Sequence, residues 1–179
     1  DSALQEIYLQ TYIFEPDSTG MRISSAFKRA AARGVEVCLL LDGYGCQDIP
    51  LVFVEDMRQA GVEVLIYRPK ISPWTFKRKR LRRLHSKLIV IDGKIAFVGG
   101  INIIDDLNTP DHSPPRIDYA VSVEGPLLVA MRANARRLWR SVAWASLRHL
   151  DTAKPPAAHA KPGNMRAAFV VRDNVWHRR

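Results

Sequence analysis

The sequence predicts an α/β domain with a layered, largely parallel β-sheet. Three observations carry that expectation. Strand-like and helix-like stretches alternate as strand–helix–strand–helix–strand through residue 67. Both helix-like stretches stop at a glycine, Gly34 and Gly61, where helices commonly end. Further on, Asp92-Gly93 between two apolar runs marks a hairpin, so an antiparallel pair joins the sheet.

Ala3–Phe14 reads as the first strand region, with Ile7, Leu9 and Thr11 alternating against Tyr8, Gln10 and Tyr12. Glu15-Pro16-Asp17 breaks it. Ser18 or Thr19 then caps a helix through about Arg33, in which Ile23, Ala26, Phe27, Ala30 and Ala31 keep helical spacing. Val35–Leu41 is a short, continuous apolar run of the kind that forms a buried strand. Asp42-Gly43-Tyr44-Gly45 is a loop, Leu51–Ala60 a second helix and Val62–Tyr67 a third strand. Leu84–Ile91 and Lys94–Val98 are the arms of the hairpin. Asp118–Val123 is a further strand, stopped by Gly125-Pro126. Leu127–Leu150 is helical through Leu127, Met131, Ala135, Leu138, Val142 and Ala145. Trp139 and Trp144 lie in it beside Arg136, Arg137 and Arg140, which reads as a core helix with a basic outer face or as a surface that docks at a membrane interface.

Residues 1–150 therefore read as one domain. Residues 151–165 carry Pro155, Pro156, Pro162 and Gly163 and read as an exposed linker. Residues 166–179, with the strand-like run Ala167–Val171, read as the first strand of a second unit. The chain begins without Met, as a processed or excised piece does.

At 179 residues the chain is long enough to bury a real core. Its 47% hydrophobic and 25% charged residues exclude a wholly disordered or fibrous protein. Against 18 Asp and Glu stand 27 Lys and Arg, a net charge of +9. That balance points to a polyanionic partner: nucleic acid, an anionic membrane surface or a phosphorylated substrate. No apolar run approaches the ~20 residues of a membrane-spanning helix. Neither a basic nor an apolar region of a secretory signal opens the chain. The two cysteines, Cys38 in an apolar run and Cys46 in a loop, read as unpaired thiols of a reducing compartment.

The chemistry-bearing stretch is Leu84–Asp92 followed by Gly99-Gly100-Ile101-Asn102. Side chains two apart on a strand share a face, so His85 and Lys87 point the same way, about 7 Å apart along the chain. The hairpin brings Gly99, Gly100 and Asn102 back beside them. An imidazole, an ammonium, an amide and glycine backbone around one point suit a phosphodiester. Lys87 and Asn102 would hold its non-bridging oxygens, the glycines would let the phosphate approach the backbone, and the imidazole could attack phosphorus. Asp92 lies seven positions from His85, on the opposite face by strand parity. That placement gives it a structural task at the turn.

His85, Lys87 and Asp92, followed by Gly99, Gly100 and Asn102, form a pattern that resembles the signature of the phospholipase D superfamily. Asp42-Gly43-Tyr44-Gly45, the arginine-rich run before Leu84-His85, and Asp118-Tyr119-Ala120-Val121 with Glu124-Gly125-Pro126 extend the likeness. They look like the amino-terminal half of bacterial cardiolipin synthases of the B type. The resemblance implies a mixed sheet with helices on both faces, as one half of a pseudo-two-fold enzyme. It implies that His85, Lys87 and Asp92 belong to the catalytic motif and that Asp118 orients His85. It implies phosphatidyl transfer through a phosphohistidine, with His85 as nucleophile or general acid, no metal and no cofactor. The partners implied are a phosphatidylglycerol-like anionic lipid, the membrane surface, and a second such half in the same native chain or a homodimer partner. The place implied is the cytoplasmic face of a bacterial inner membrane, held peripherally. His112, His149, His159 and His177 lack a lysine two residues on, so this chain carries one motif. A dimeric endonuclease or phosphodiesterase, with nucleic acid as partner, and an idle lipid-binding half are the alternatives.

Lys77, Arg78, Lys79, Arg80, Arg82 and Arg83 lie just before His85, with Trp74 and Phe76 upstream. This run reads as a surface for anionic lipid or nucleic-acid phosphate, or as a solvated loop.

Overall fold

The computed structural model describes residues 1–69, 83–108, 114–146 and 163–171. Six strands form one sheet: β1 (Glu6–Thr11), β2 (Glu36–Asp42), β3 (Glu63–Tyr67), β4 (Leu88–Ile91), β5 (Ile95–Gly99) and β6 (Ala120–Val123). Three helices accompany it: α1 (Ser18–Ala32), α2 (Leu51–Gln59) and α3 (Leu127–Ala145). The strand order is β3-β2-β1-β4-β5-β6. The β1–β2 and β2–β3 pairs are parallel, the crossovers being α1 and α2. The β1–β4, β4–β5 and β5–β6 pairs are antiparallel. The sheet is thus mixed, with helices on both faces.

Strand parity sorts the core into two layers. Ile7, Leu9, Val37, Leu39, Leu41 and Val64 point to one face and pack with Phe27 and Ala30 of α1 and Phe53, Val54 and Met57 of α2. Tyr8, Cys38, Leu40, Leu65, Leu88, Val90 and Ala96 point to the other and pack under Leu128, Met131, Ala135 and Trp139 of α3. Trp139 is buried and Trp144 is exposed, so α3 is a core helix with an open outer face. Burial on both faces explains why β2 reads as a continuous apolar run. Under α3 the sheet also buries a charge, Glu6. Arg132 covers it, donating from Nε to Oε1 and from Nη2 to Oε2, the latter at 2.6 Å. A charge removed from water needs such a fork-shaped partner.

Several boundaries differ from the expectations, for local reasons. The cap of α1 is Asp17 rather than Ser18 or Thr19: its carboxylate accepts from the Gly20 N–H at 3.0 Å. Ser18 instead donates to the Asp105 carboxylate. The hairpin loop spans three residues, since Ile91 faces Ile95. Asp92 and Gly93 both take left-handed backbone, with φ of 53° and 60°. Regular strand begins at Leu88, not Leu84. Residues 167–171 form no strand; Phe169 packs against the second core layer instead. Cys46 is buried like Cys38, its thiol donating to the Tyr12 carbonyl, and burial pushes its pKa up to about 12.

Asp92 is 6% exposed and accepts from the N–H groups of Leu4, Gln5 and Glu6 at 2.9, 2.8 and 3.0 Å. It anchors the start of β1 to the hairpin, so the structure gives it a fold-holding task in place of a catalytic one. Burial alone would raise its pKa. The three amides, with Lys94 nearby, outweigh burial and hold the carboxyl below its ordinary value. A depressed native pKa means that the unfolded chain binds the proton more readily. The stabilisation is therefore present above about pH 4 and is lost as pH falls through the native value. Asp92→Ala should destabilise the chain by about 2–4 kcal/mol near neutrality, and the deficit should shrink in acid. Urea unfolding from pH 2 to pH 7 measures both.

Candidate active site

The site is built where the end of β1, the chain leading into β4 and the segment after β5 meet. Three buried or half-buried hydrogen-bonding groups bring them together. Asp42, at the end of β2, is fully buried. Its Oδ1 accepts from the Tyr44 and Gly45 N–H groups at 2.9 and 3.0 Å, which closes the loop after β2. Its Oδ2 accepts from the Leu84 N–H at 2.6 Å, which fixes the residue before His85. Asn102 Oδ1 accepts from the Ile13 N–H at 3.1 Å, tying the segment after β5 to the end of β1. The Gly99 N–H donates to the Lys87 carbonyl at 3.2 Å, so the β4–β5 pairing continues beyond the regular strand.

Extended backbone thereby places the two motif side chains as parity requires. Lys87 Nζ lies 3.4 Å from His85 Nε2. An ammonium only donates, so the tautomer that matches this contact is the one with Nε2 as acceptor. A lone pair on Nε2 is what a nucleophile or a base needs. His85 is exposed, whereas Lys87 is 9% exposed. Burial lowers the Lys87 pKa, and the Asp118 carboxylate acts in the opposite sense. Since Asn102 Oδ1 already accepts from backbone, its Nδ2 amide is the end available for a phosphate oxygen.

Two expectations change. Gly99 and Gly100 make room for protein, not for a ligand. A Cβ on Gly99 would stand 2.2 Å from the Tyr119 carbonyl oxygen, and one on Gly100 would stand 1.8 Å from Asp118 Oδ1. Their N–H groups donate to the carbonyls of Lys87 and Tyr119, so neither is free for phosphate. Asp118 does not hold His85: among the described residues no hydrogen bond joins them. Its Oδ1 accepts from the Tyr119 N–H at 2.9 Å, and its charge bears on Lys87. Of the basic run, Lys77, Arg78, Lys79, Arg80 and Arg82 lie outside the described residues. Arg83 is described, and its guanidinium stacks 4.7 Å above the Tyr44 ring.

The first sheet face continues past β1 without a helix among the described residues. Phe97 and Ile101 stand 40% and 50% exposed there. A cavity of about 240 Å³ opens on this face, lined by Lys87 together with Leu9, Ile89, Phe97, Ile101 and Ala120 among others. The motif lysine thus sits at the edge of an open apolar surface.

Comparison with known proteins agrees with this architecture. Residues 1–109 match the family described as "Cardiolipin synthase, PLD-like domain". The chain belongs to that family. It is 37% identical over 187 residues to cardiolipin synthase B of Salmonella typhi and 33% identical over 186 residues to that of Escherichia coli K12. Each comparison covers 98% of this chain and 42% of the relative, so the chain spans less than half the length of these curated proteins. Cardiolipin synthase 1 of Bacillus anthracis is 32% identical over 134 residues, covering 74% of this chain and 26% of the relative. The fold is shared with Nuc of Salmonella typhimurium, a phospholipase D family member. That match has a TM-score of 0.54 at 20% identity and covers 78% of this chain and 81% of Nuc. NucT of Helicobacter pylori matches with a TM-score of 0.58 at 15% identity, over 79% and 82% of the two chains.

In this PLD-like domain the buried Asp42 carboxylate is the support that sequence reading placed only within a loop motif. Asp42→Asn retains an acceptor for Tyr44 and Gly45 but turns an NH₂ group towards the Leu84 N–H. The expected cost is about 1–3 kcal/mol in urea unfolding. Faster hydrogen exchange at the Leu84 amide should accompany it, which locates the loosening beside His85.

Proposed function

We propose that the chain supplies one half of a composite site that transfers a phosphatidyl group between lipids in cardiolipin synthesis. The observation that carries this reading is the contact of Lys87 Nζ with His85 Nε2, made at the edge of an uncovered apolar surface. The match to cardiolipin synthases over 98% of the chain supports it.

Lys87 and the Asn102 amide would bind the non-bridging oxygens of a phosphodiester and offset charge that grows as phosphorus becomes five-coordinate. One histidine of the pair would form an N–P bond as the ester bond to the leaving alcohol breaks. The other would protonate that alcohol, then take the proton from the acceptor hydroxyl as the acceptor displaces the histidine. Water as acceptor gives hydrolysis, and the glycerol head of a second lipid gives transfer. His85 takes either role, because two symmetric halves exchange them. Gly99 and Gly100 serve by admitting Asp118 and the Tyr119 carbonyl. Asp118 serves electrostatically, through Lys87.

The second histidine would come from a partner half, in the same native chain or a second copy. Residues 166–179 would begin such a half in the longer protein. The apolar face around Phe97 and Ile101 is where that half would seat. The substrates would be phosphatidylglycerol-like lipids. The +9 charge suits peripheral attachment to an anionic membrane, at the cytoplasmic face of a bacterial inner membrane.

Light scattering at physiological salt separates the two ways of completing the site. A dimer should turn over phosphatidylglycerol vesicles by itself, whereas a monomer should require an added second half. In either active assembly, His85→Asn should lower turnover on the order of 10⁴-fold and leave vesicle binding unchanged. Cleavage of plasmid DNA without any turnover of phosphatidylglycerol would sink the lipid reading in favour of a nuclease.

A further inference from the structure

Tyr12 lies outside the motif, one residue beyond the end of β1, yet its ring touches both motif side chains. The Tyr12 and His85 ring centroids are 5.2 Å apart with planes inclined at 51°. Lys87 Nζ stands 5.3 Å from the Tyr12 centroid. With the 3.4 Å contact between Lys87 and His85, the three side chains close a triangle.

The position of Tyr12 is itself determined from two sides. The loop after β2 presses on its carbonyl: a Cβ on Gly45 would stand 2.1 Å from that oxygen, and the Cys46 thiol donates to it at 3.3 Å. The next residue, Ile13, donates to Asn102. The Tyr12 backbone therefore cannot shift without moving either the loop held by Asp42 or the side chain of Asn102.

We propose that Tyr12 is a positioning residue, an aromatic platform that holds the His85 ring in one orientation and keeps the Lys87 ammonium charged beside it. The face of an aromatic ring is electron-rich and attracts a cation, most strongly where water is thinned out. Lys87 needs that help, because burial acts against its charge. Two other groups face Lys87: Asp118 from the β6 side, which favours the charge, and His85 from its own segment. The Tyr12 hydroxyl contributes nothing to the platform. Burial, then the Asp42 carboxylate and Tyr44, raise its pKa and keep it neutral, so phenylalanine should serve equally.

The proposal rests on the reading of His85 and Lys87 as the reacting pair, but its test needs no turnover. The 179-residue chain, with lysine and aromatic groups isotopically labelled, is titrated by NMR in three forms: wild type, Tyr12→Phe and Tyr12→Leu. The wild type should show through-space contacts from the Tyr12 ring protons to the Lys87 ε-methylene and to the His85 ring. Tyr12→Phe should keep those contacts and the Lys87 titration midpoint. Tyr12→Leu should lower that midpoint by about half a pH unit or more and move the His85 ring signals. Missing wild-type contacts, a changed midpoint in the phenylalanine variant, or a leucine variant with an unmoved midpoint would each overturn the platform. If the leucine variant fails to fold, the first two measurements still decide. A chain that passes these tests but, with its second half supplied, cleaves plasmid DNA and turns over no phosphatidylglycerol would retain the platform and lose the lipid reading.

Discussion

The buried carboxylate of Asp42 is the interaction on which the site depends. A charge with no exposure must be compensated, and here backbone amides do it: two from its own loop and one from Leu84. Because the donors come from separate parts of the chain, satisfying one charge fixes three things together. The loop after β2 takes a single shape. That loop presses on Tyr12, and the extended segment carrying His85 enters at a set height. A neutral, apolar side chain in this place would fill the same space without specifying any of these relations.

The same device recurs at the other end of the sheet. Asp92 collects the amides of Leu4, Gln5 and Glu6, and so joins the start of β1 to the hairpin that follows β4. Strands β1 and β4 are far apart in sequence and antiparallel neighbours in space. One aspartate at each end determines their register. Register then decides chemistry, because a slip of one residue would turn His85 and Lys87 to the face under α3. The charge pair of Glu6 and Arg132 adds the docking of α3 to the same central strand.

Two consequences follow for the reacting groups. Lys87 lies at the boundary between a filled core and an open apolar face, largely withdrawn from water. Among the described residues α1 and α2 leave that face uncovered, so the His85–Lys87 pair stands beside an open apolar surface. The chain's coverage of 42% of the cardiolipin synthases is compatible with the proposed division of the site between two halves.

The alternation of strands and helices through residue 67, the hairpin, and the shared face of His85 and Lys87 were legible in the residues alone. These follow from local rules: periods of two and 3.6, turn residues, and parity. The structural task of Asp92 was legible too, since seven positions is an odd interval. Partners remote in sequence emerge only in the folded chain. Gly99 and Gly100 read as openings for phosphate, but Asp118 and the Tyr119 carbonyl, some twenty residues on, occupy the room. Asp118 read as the support of His85, but its own neighbouring amide takes its oxygen. Tyr12 read as one alternating residue of a strand, and nothing local announces that its ring meets a histidine and a lysine more than seventy positions away. A sequence pattern records spacing along the chain. Which groups touch depends on how buried charges collect their amides across it.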